Sequence, residues 1–335
     1  MQPAIDSKGA IQRLTALWAF SECGIGGVMH MMKLPFTGLI LGGLACIIVV
    51  LIARLSDNLQ KDIVRSMMIV CLIKLSVSPH TPFTAYIAVG FQGLFAMLVY
   101  RWFGLRSISI LFVCMICMLE SALQKLLVLT LIFGNPLWDA VNSFGDSVLK
   151  NFGVDQGYSA SNILIGLYLI IYSITGICIA LIINHLLKIL NNPEKVLLYE
   201  NIQQNAVPLN APNPSKKSVF RKNTALLIIT IILVSAVLYS GSEIWKNALY
   251  LLLRSFIILF LLYKVFSPVL LYFLQKWLSK KQSASQLNLK LTMDLFPQIS
   301  AVLDFASQQS KKASGTDKII VFFEALLLGV IFYKT

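Results

Sequence analysis

Residues 33–38 read Lys-Leu-Pro-Phe-Thr-Gly, and residues 80–85 repeat the pattern as His-Thr-Pro-Phe-Thr-Ala. Each copy leads into an apolar run with a glycine, Gly43 or Gly90, at the same distance from the proline. Proline suits the first turn of a helix, because its missing N–H needs no partner there. Both copies therefore predict the start of a membrane helix, with a cationic or titratable residue just upstream.

The repeat has two interpretations. In the first, the two helix starts converge and form a site for a polar or anionic small molecule, because helix N-termini carry unpaired N–H groups. In the second, the repeat only provides good starting turns for two buried helices. The substrate-binding residues of the first interpretation are Lys33, Thr37, His80, Thr84, Glu120, Gln124 and Lys125.

The composition indicates a protein embedded in a lipid bilayer. Of its 335 residues 57% are hydrophobic and 13% are charged, whereas soluble domains average about 25% charged residues. Several apolar runs approach the roughly 20 residues that cross a bilayer, and their lengths predict an all-α polytopic membrane protein with about nine transmembrane helices. The net charge of +13 could suggest nucleic acid, but basic cytoplasmic loops explain it better, so we expect no nucleic-acid partner.

The apolar runs predict spans in two groups. The first group comprises residues 12–32, 35–53, 64–79, 82–100, 107–133 and 160–190, and the second comprises 223–241, 246–275 and 319–333. Residues 134–158 predict a surface loop with a short interfacial helix. Residues 285–312 predict an amphipathic helical segment broken at Pro297, cytoplasmic or interfacial in position.

The charges of the loops predict one orientation. Residues 54–65, 101–106 and 188–222 are basic, while 134–158 carries three aspartates. Because basic loops stay in the cytoplasm, this pattern places the N-terminus and the basic loops inside and both Pro-Phe-Thr starts outside. We therefore expect a multi-pass membrane protein with its N-terminus in the cytoplasm.

This order of spans divides the chain into three parts. Residues 1–192 form a predicted six-span substrate-capture bundle with both ends in the cytoplasm. Residues 193–222 form a cytoplasmic linker, because Pro208, Pro212 and Pro214 make it extended rather than packed. Residues 223–335 form a C-terminal membrane block with the amphipathic cytoplasmic helices 285–312.

Charged residues inside the spans either hold helices together or take part in function. Charges are costly to bury at such depth, so they face the interior of the bundle or a partner protein. Glu120 pairing with Lys74 would lock two helices together, and Glu120 contacting a ligand is the equal alternative. Glu22 in the first span would face a partner or lie protonated in the bundle.

The reactive side chains do not predict catalysis, a metal or a cofactor. All six cysteines fall inside apolar runs, and the pair Cys114 and Cys117 lacks a second pair or a nearby histidine. The three histidines come with no carboxylate motif, and no serine or cysteine sits in a nucleophile setting. A membrane enzyme is thus the less favoured class, and a structural or scaffold subunit of a membrane complex is the main alternative to capture and uptake.

Residues 1–192 resemble, in layout, the substrate-binding (S) component of energy-coupling factor (ECF) transporters. The shared features are six spans with both ends inside, short outer loops leading into proline-started helices, and a stripe of small residues on the first helix. The stripe here is Ala19, Cys23 and Gly27, with cysteine where the family pattern has alanine. The resemblance implies capture of a vitamin-like molecule outside, a membrane T subunit bound at the stripe, and two cytoplasmic ATPases. The chain has no Walker A sequence, so a partner would supply ATP hydrolysis.

Overall fold

The computed structural model of the protein describes six stretches of the chain and a few single residues. The stretches are 6–31, 36–77, 83–151, 159–191, 290–315 and 317–332, and the single residues are 253, 257, 260, 261, 269 and 272. Every element within these stretches is helical. The predicted linker 193–222, the predicted span 223–241 and most of the predicted span 246–275 lie outside the described residues.

The first helix is continuous but changes its winding. Helix α1 (Ser7–Phe20) passes through a π-helical turn (Ser21–Ile25) into α2 (Gly26–Met31). The other helices whose bounds the structure describes are α3 (Thr37–Leu55), α4 (Leu59–Val77), α5 (Phe83–Phe103), α6 (Ser107–Phe133), α7 (Asn135–Asn151), α8 (Ala160–Leu190), α9 (Phe296–Ser310) and α10 (Asp317–Phe332).

Helix α3 lies at the centre of the N-terminal bundle. It packs against α1, α4, α5, α6 and α8, and residues 45–53 along it are all buried. Such an all-round apolar sequence suits a helix that is surrounded by others. Because α3 begins directly after Pro35 and Phe36, the first Pro-Phe-Thr copy starts the central helix of the bundle.

Four described helices are long and apolar enough to cross a membrane, namely α3, α5 from Thr84, α6 and α8. The predicted spans 107–133 and 160–190 match α6 and α8 residue for residue. The described part of the chain is thus all helical and consistent with a helical membrane protein, while the number of nine spans stays a prediction. Helix α4 has 19 residues but is less apolar, because it carries charged residues at both ends.

The prediction of a loop with a short helix over 134–158 was wrong about the helix length, because α7 has 17 residues. Gly134 allows the sharp turn into it, with a φ of 71° that side chains with a Cβ rarely adopt. Trp138 Nε1 donates to Thr130 Oγ1 at 3.2 Å, and Ser161 N donates to Asn142 Oδ1 at 2.8 Å. These two bonds hold α7 across the neighbouring ends of α6 and α8.

The C-terminal helices α9 and α10 pack against each other and against α1. Helix α9 follows a break at Leu295, with Pro297 in its first turn, so the predicted break is confirmed. Arg13 of α1 donates to the carbonyl oxygens of Val330 and Ile331 at 2.8 and 2.7 Å. The arginine thereby satisfies carbonyls in the last turn of α10, which lack partners within their own helix.

Candidate functional site

A cavity of about 240 Å³ lies between the helices of the N-terminal bundle. Its lining comes from the N-terminal halves of α3, α5 and α8, the C-terminal parts of α4 and α6, and the π-helical turn. In a bundle of alternating helices, these parts meet at one end, which we call the cavity end. The opposite end is basic, and there Arg54 Nη2 donates to Asn191 Oδ1 at 3.0 Å, joining α3 to the end of α8.

A buried ion pair forms one wall of the cavity. Lys74 Nζ lies 2.5 Å from Glu22 Oε2, and the two side chains are only 1% and 6% exposed. The ammonium also lies 5.9 Å from the ring centre of Tyr86, within the range of a cation–π contact. Both charged side chains line the cavity, so a ligand there would meet a positive and a negative group side by side.

Glu22 owes its position to the π-helical turn. The turn begins at Ser21, and the Ser21 hydroxyl donates to the Trp18 carbonyl at 2.8 Å. One extra residue per turn rotates the following side chains relative to an α-helix, and single π turns are frequent at functional sites. The turn thus contains a buried carboxylate on the inner side of the first helix.

The predicted pairing of Glu120 with Lys74 was wrong, because Lys74 pairs with Glu22 from a different helix. The predictions that Glu22 faces a partner or lies protonated in the bundle missed this pairing. Glu120 does not line the cavity. Its Oε2 atom is buried without a hydrogen-bond partner among the described residues.

A second wall of the cavity carries uncharged polar groups next to two glycines of α3. Gln92 is 3% exposed, and its Oε1 atom has no hydrogen-bond partner within the described parts of the chain. A Cβ on Gly42 would lie 3.5 Å from Gln92 Nε2 and 3.3 Å from Ser121 Oγ. A Cβ on Gly38 would lie 3.7 Å from the Tyr172 hydroxyl. The glycines therefore leave open the space beside these three polar side chains, which we call the polar wall.

The Tyr172 hydroxyl is oriented by a neighbour. Tyr168 donates its hydroxyl hydrogen to the Tyr172 oxygen at 3.1 Å, and the two rings pack 4.8 Å apart between their centres. A phenol has one hydrogen to donate in addition to accepting. Tyr172, which is 1% exposed, can therefore donate that hydrogen to a ligand in the cavity.

Four of the seven predicted substrate-binding residues line this one cavity: Thr37, Thr84, Gln124 and Lys125. Gln124 Nε2 donates to the carbonyl oxygen of Thr84 at 2.9 Å, which ties α6 to the first turns of α5. The predicted residues Lys33 and His80 lie outside the described residues.

Sequence analysis missed five polar lining residues, which are Glu22, Lys74, Gln92, Ser121 and Tyr172. Glu22 and Lys74 were noticed as costly charges but were not assigned to the site. The signal for Gln92 was its position as a lone amide in the middle of an apolar span, since polar groups there mark interior contacts or ligand sites. Ser121 and Tyr172 carry no comparable signal, because serine and tyrosine are common in membrane helices.

The residues of the predicted small-residue stripe lie in three different environments. Ala19 is 0% exposed, Cys23 is partly buried against the core, and the Cβ position of Gly27 faces open space. The π-helical turn between Ala19 and Gly27 changes the direction in which successive residues point. The stripe as a partner interface stays a prediction.

No protein-family model, curated protein or solved structure matches this chain. Within the described residues, no group of three or more His, Cys, Asp or Glu side chains could hold a metal ion. What the arrangement offers is a small, partly open cavity with a paired charge on one wall, amide and hydroxyl groups on another, and Lys125 on its lining. Such a combination of apolar lining and a few polar groups is typical of small-molecule sites.

Proposed function

We propose that this protein captures a small polar or anionic molecule in the cavity and takes part in its uptake across the membrane. The observation that carries the proposal is the cavity, where Gln92, Ser121 and Tyr172 line one wall and the Glu22–Lys74 pair lines another. Polar groups inside a membrane bundle are costly, and they mark interior contacts or ligand sites. A bound polar ligand would give these groups hydrogen-bond partners.

The charged groups favour a ligand with an acidic group. The charge of Lys74 is balanced by Glu22, whereas Lys125 adds a further ammonium group to the lining, and Lys33 precedes the helix that begins at Thr37. A lysine ammonium attracts carboxylate or phosphate oxygens, and a helix N-terminus adds unpaired N–H groups. The cavity volume of about 240 Å³ lies below the roughly 300–1,000 Å³ of sites for drug-sized ligands. The site thus suits a molecule of metabolite size.

The direction of uptake rests on the distribution of charge. The cavity end lies opposite the basic end with Arg54, Arg101 and Lys188, and basic ends face the cytoplasm. The cavity would then open from the outer half of the bacterial cytoplasmic membrane. In keeping with the resemblance to ECF S components, partner ATPases and a membrane T subunit would supply energy and coupling. A structural subunit of a membrane complex is the competing function.

Mass spectrometry of small molecules retained by the purified full-length chain tests capture. We expect a retained polar molecule, and a roughly ten- to hundredfold loss of its affinity in Lys125→Met, Lys33→Ala and His80→Ala. Lys311→Met changes an exposed lysine that does not line the cavity, and this variant should bind normally. Co-purified ATPases would support uptake, whereas a stable assembly with neither ATPases nor a small molecule would favour the structural role.

A further inference from the structure

We infer, on the basis of the proposed capture function, that the seam between α1 and α4 opens and gives the captured molecule its route across the bundle. The seam is the contact surface of these two helices. Two polar contacts join the helices along it, and each contact lines a cavity at a different end of the bundle. The seam is thus an interface that leads from one cavity to the other.

The second cavity lies at the basic end of the bundle and has a volume of about 350 Å³. Its lining comes mostly from α1, α4 and the turn between α3 and α4, and we call it the basic-end cavity. Lys8, Asp57 and Lys61 are exposed on this lining, so charged groups of both signs can interact with a polar or anionic molecule there. Thr15 and Ser66 also line it, although each of them is only 2% exposed.

One face of α4 connects the two cavities. Ser66, Val70 and Lys74 follow one another at intervals of four residues, so they lie on the same face of the helix. This face meets α1 at the basic end, where Thr15 Oγ1 and Ser66 Oγ lie 2.7 Å apart in a hydrogen bond. It meets the first helix again at the cavity, where Lys74 pairs with Glu22. Polar groups of both helices therefore lie at both ends of the seam.

The barrier between the two cavities is short. Thr15 and Glu22 are seven positions apart, which corresponds to about 10 Å along a helix. The hydrocarbon core of a bilayer is about 30 Å thick. Ala19 of α1 and Val70 of α4 lie within this interval, and both are 0% exposed. Opening the route therefore requires the separation of roughly two helical turns of apolar side chains, not of the whole bundle.

The first helix has a joint beside this barrier. The π-helical turn Ser21–Ile25 interrupts its α-helical winding, and Gly24 and Gly26 lie within the turn and directly after it. Helices bend at such turns, and glycine adds backbone freedom. Helix α1 can therefore tilt away from α4 about this joint, which separates the apolar side chains of the barrier.

Labelling of a single introduced cysteine tests whether the seam opens. The probe is a methanethiosulfonate reagent with a sulfonate group, applied from either side of the membrane to the full-length chain without its native cysteines. Val70→Cys should be labelled from both sides, although Val70 is 0% exposed in the structure. Val49→Cys on α3 is the matched control, because Val49 is 1% exposed and lines neither cavity, and it should stay unlabelled.

Filling the cavity should block the route from one end. Ala88 lines the cavity, whereas Ile87 beside it does not and is 45% exposed. Adding Ala88→Trp to Val70→Cys should abolish labelling from the cavity end and leave labelling from the basic end unchanged. Adding Ile87→Trp should change neither.

Labelling of Val70→Cys from one side only, no labelling of it, or equal labelling of Val49→Cys would overturn the route. If the purified chain nevertheless retains a small molecule, as shown by mass spectrometry, capture stands and only its path is wrong. Labelling of Val70→Cys from both sides without any retained molecule would support the opening of the seam and refute capture.

Discussion

Lys74 Nζ and Glu22 Oε2 lie 2.5 Å apart, with both side chains almost fully shielded from solvent. The pair joins α4 to the π-helical turn of the first helix and lines the cavity. Removing either partner leaves a buried charge without a counter-charge, which is more costly than removing both. The same ion pair therefore forms part of the cavity wall and contributes to the stability of the bundle.

Breaking this ion pair should destabilise the protein in a non-additive way. Glu22→Gln and Lys74→Met should each lower the free energy of unfolding by about 3–5 kcal/mol, and the double variant should lose less than the sum. Denaturant unfolding in detergent, followed by tryptophan fluorescence, measures this. Lys61→Met removes an exposed lysine of α4 and is the matched control. Additive losses in the double variant would contradict a direct pair.

A close approach of backbones should make one glycine of α8 irreplaceable. A Cβ on Gly176 would lie 3.0 Å from Met115 Cα and 3.2 Å from the Cys114 carbonyl oxygen. Gly176→Ala should therefore push α6 and α8 apart and cost about 1–3 kcal/mol of unfolding free energy. Gly166 on the same helix has nothing within 4 Å of its Cβ position. Gly166→Ala should stabilise the helix by about 0.5–1 kcal/mol, and equal effects of both substitutions would contradict the packing.

The small-residue stripe can be tested because its members differ in environment. Ala19→Leu adds volume at a fully buried site, so we expect a lower unfolding temperature from overpacking. Gly27→Leu adds volume where the structure is open, so stability should not change. If a membrane partner contacts Gly27, its co-purification should fail in Gly27→Leu. Unchanged co-purification would remove the stripe as an interface and weaken the resemblance to S components.

The orientation in the membrane is testable by cysteine labelling in a variant without native cysteines. Asn58→Cys and Asn213→Cys should react only with reagents applied from the cytoplasm, and Asp146→Cys only with reagents applied from outside. Asn58 lies between α3 and α4 at the basic end, Asp146 lies on α7 at the cavity end, and Asn213 lies outside the described residues. Labelling of Asp146→Cys from the cytoplasm alone would reverse the orientation and the direction of uptake.

Helix positions followed from the sequence where apolar runs end at clear signals. The bounds of α6 and α8 were predicted to the residue. Arg106 directly precedes α6 and Gly134 directly follows it, while Lys188 lies in the last turn of α8. The length of α7 was missed because its asparagine, glycine and aspartate residues have low helix propensity. Bonds from Trp138 and Asn142 to the neighbouring helices hold it nonetheless.

The cavity could be predicted only in part. Thr37 and Thr84 were assigned from the repeated helix starts, and Gln124 and Lys125 from the cost of polar groups in a span. The partner of Lys74 could not be read from the sequence, because Glu22 is 52 residues away and reaches it through the π-helical turn. Which of several buried polar groups meet is set by helix packing, which local patterns do not specify.

The central claim is that the cavity holds a small molecule, and blocking the cavity tests it most directly. Ala88 lines the cavity, while Ile87 beside it on α5 is 45% exposed. Mass spectrometry of molecules retained by the purified full-length chain should find a bound compound in wild type and in Ile87→Trp. Ala88→Trp should lose it, with an unfolded fraction no greater than that of Ile87→Trp. Retention of the same compound by a folded Ala88→Trp variant would contradict binding in this cavity.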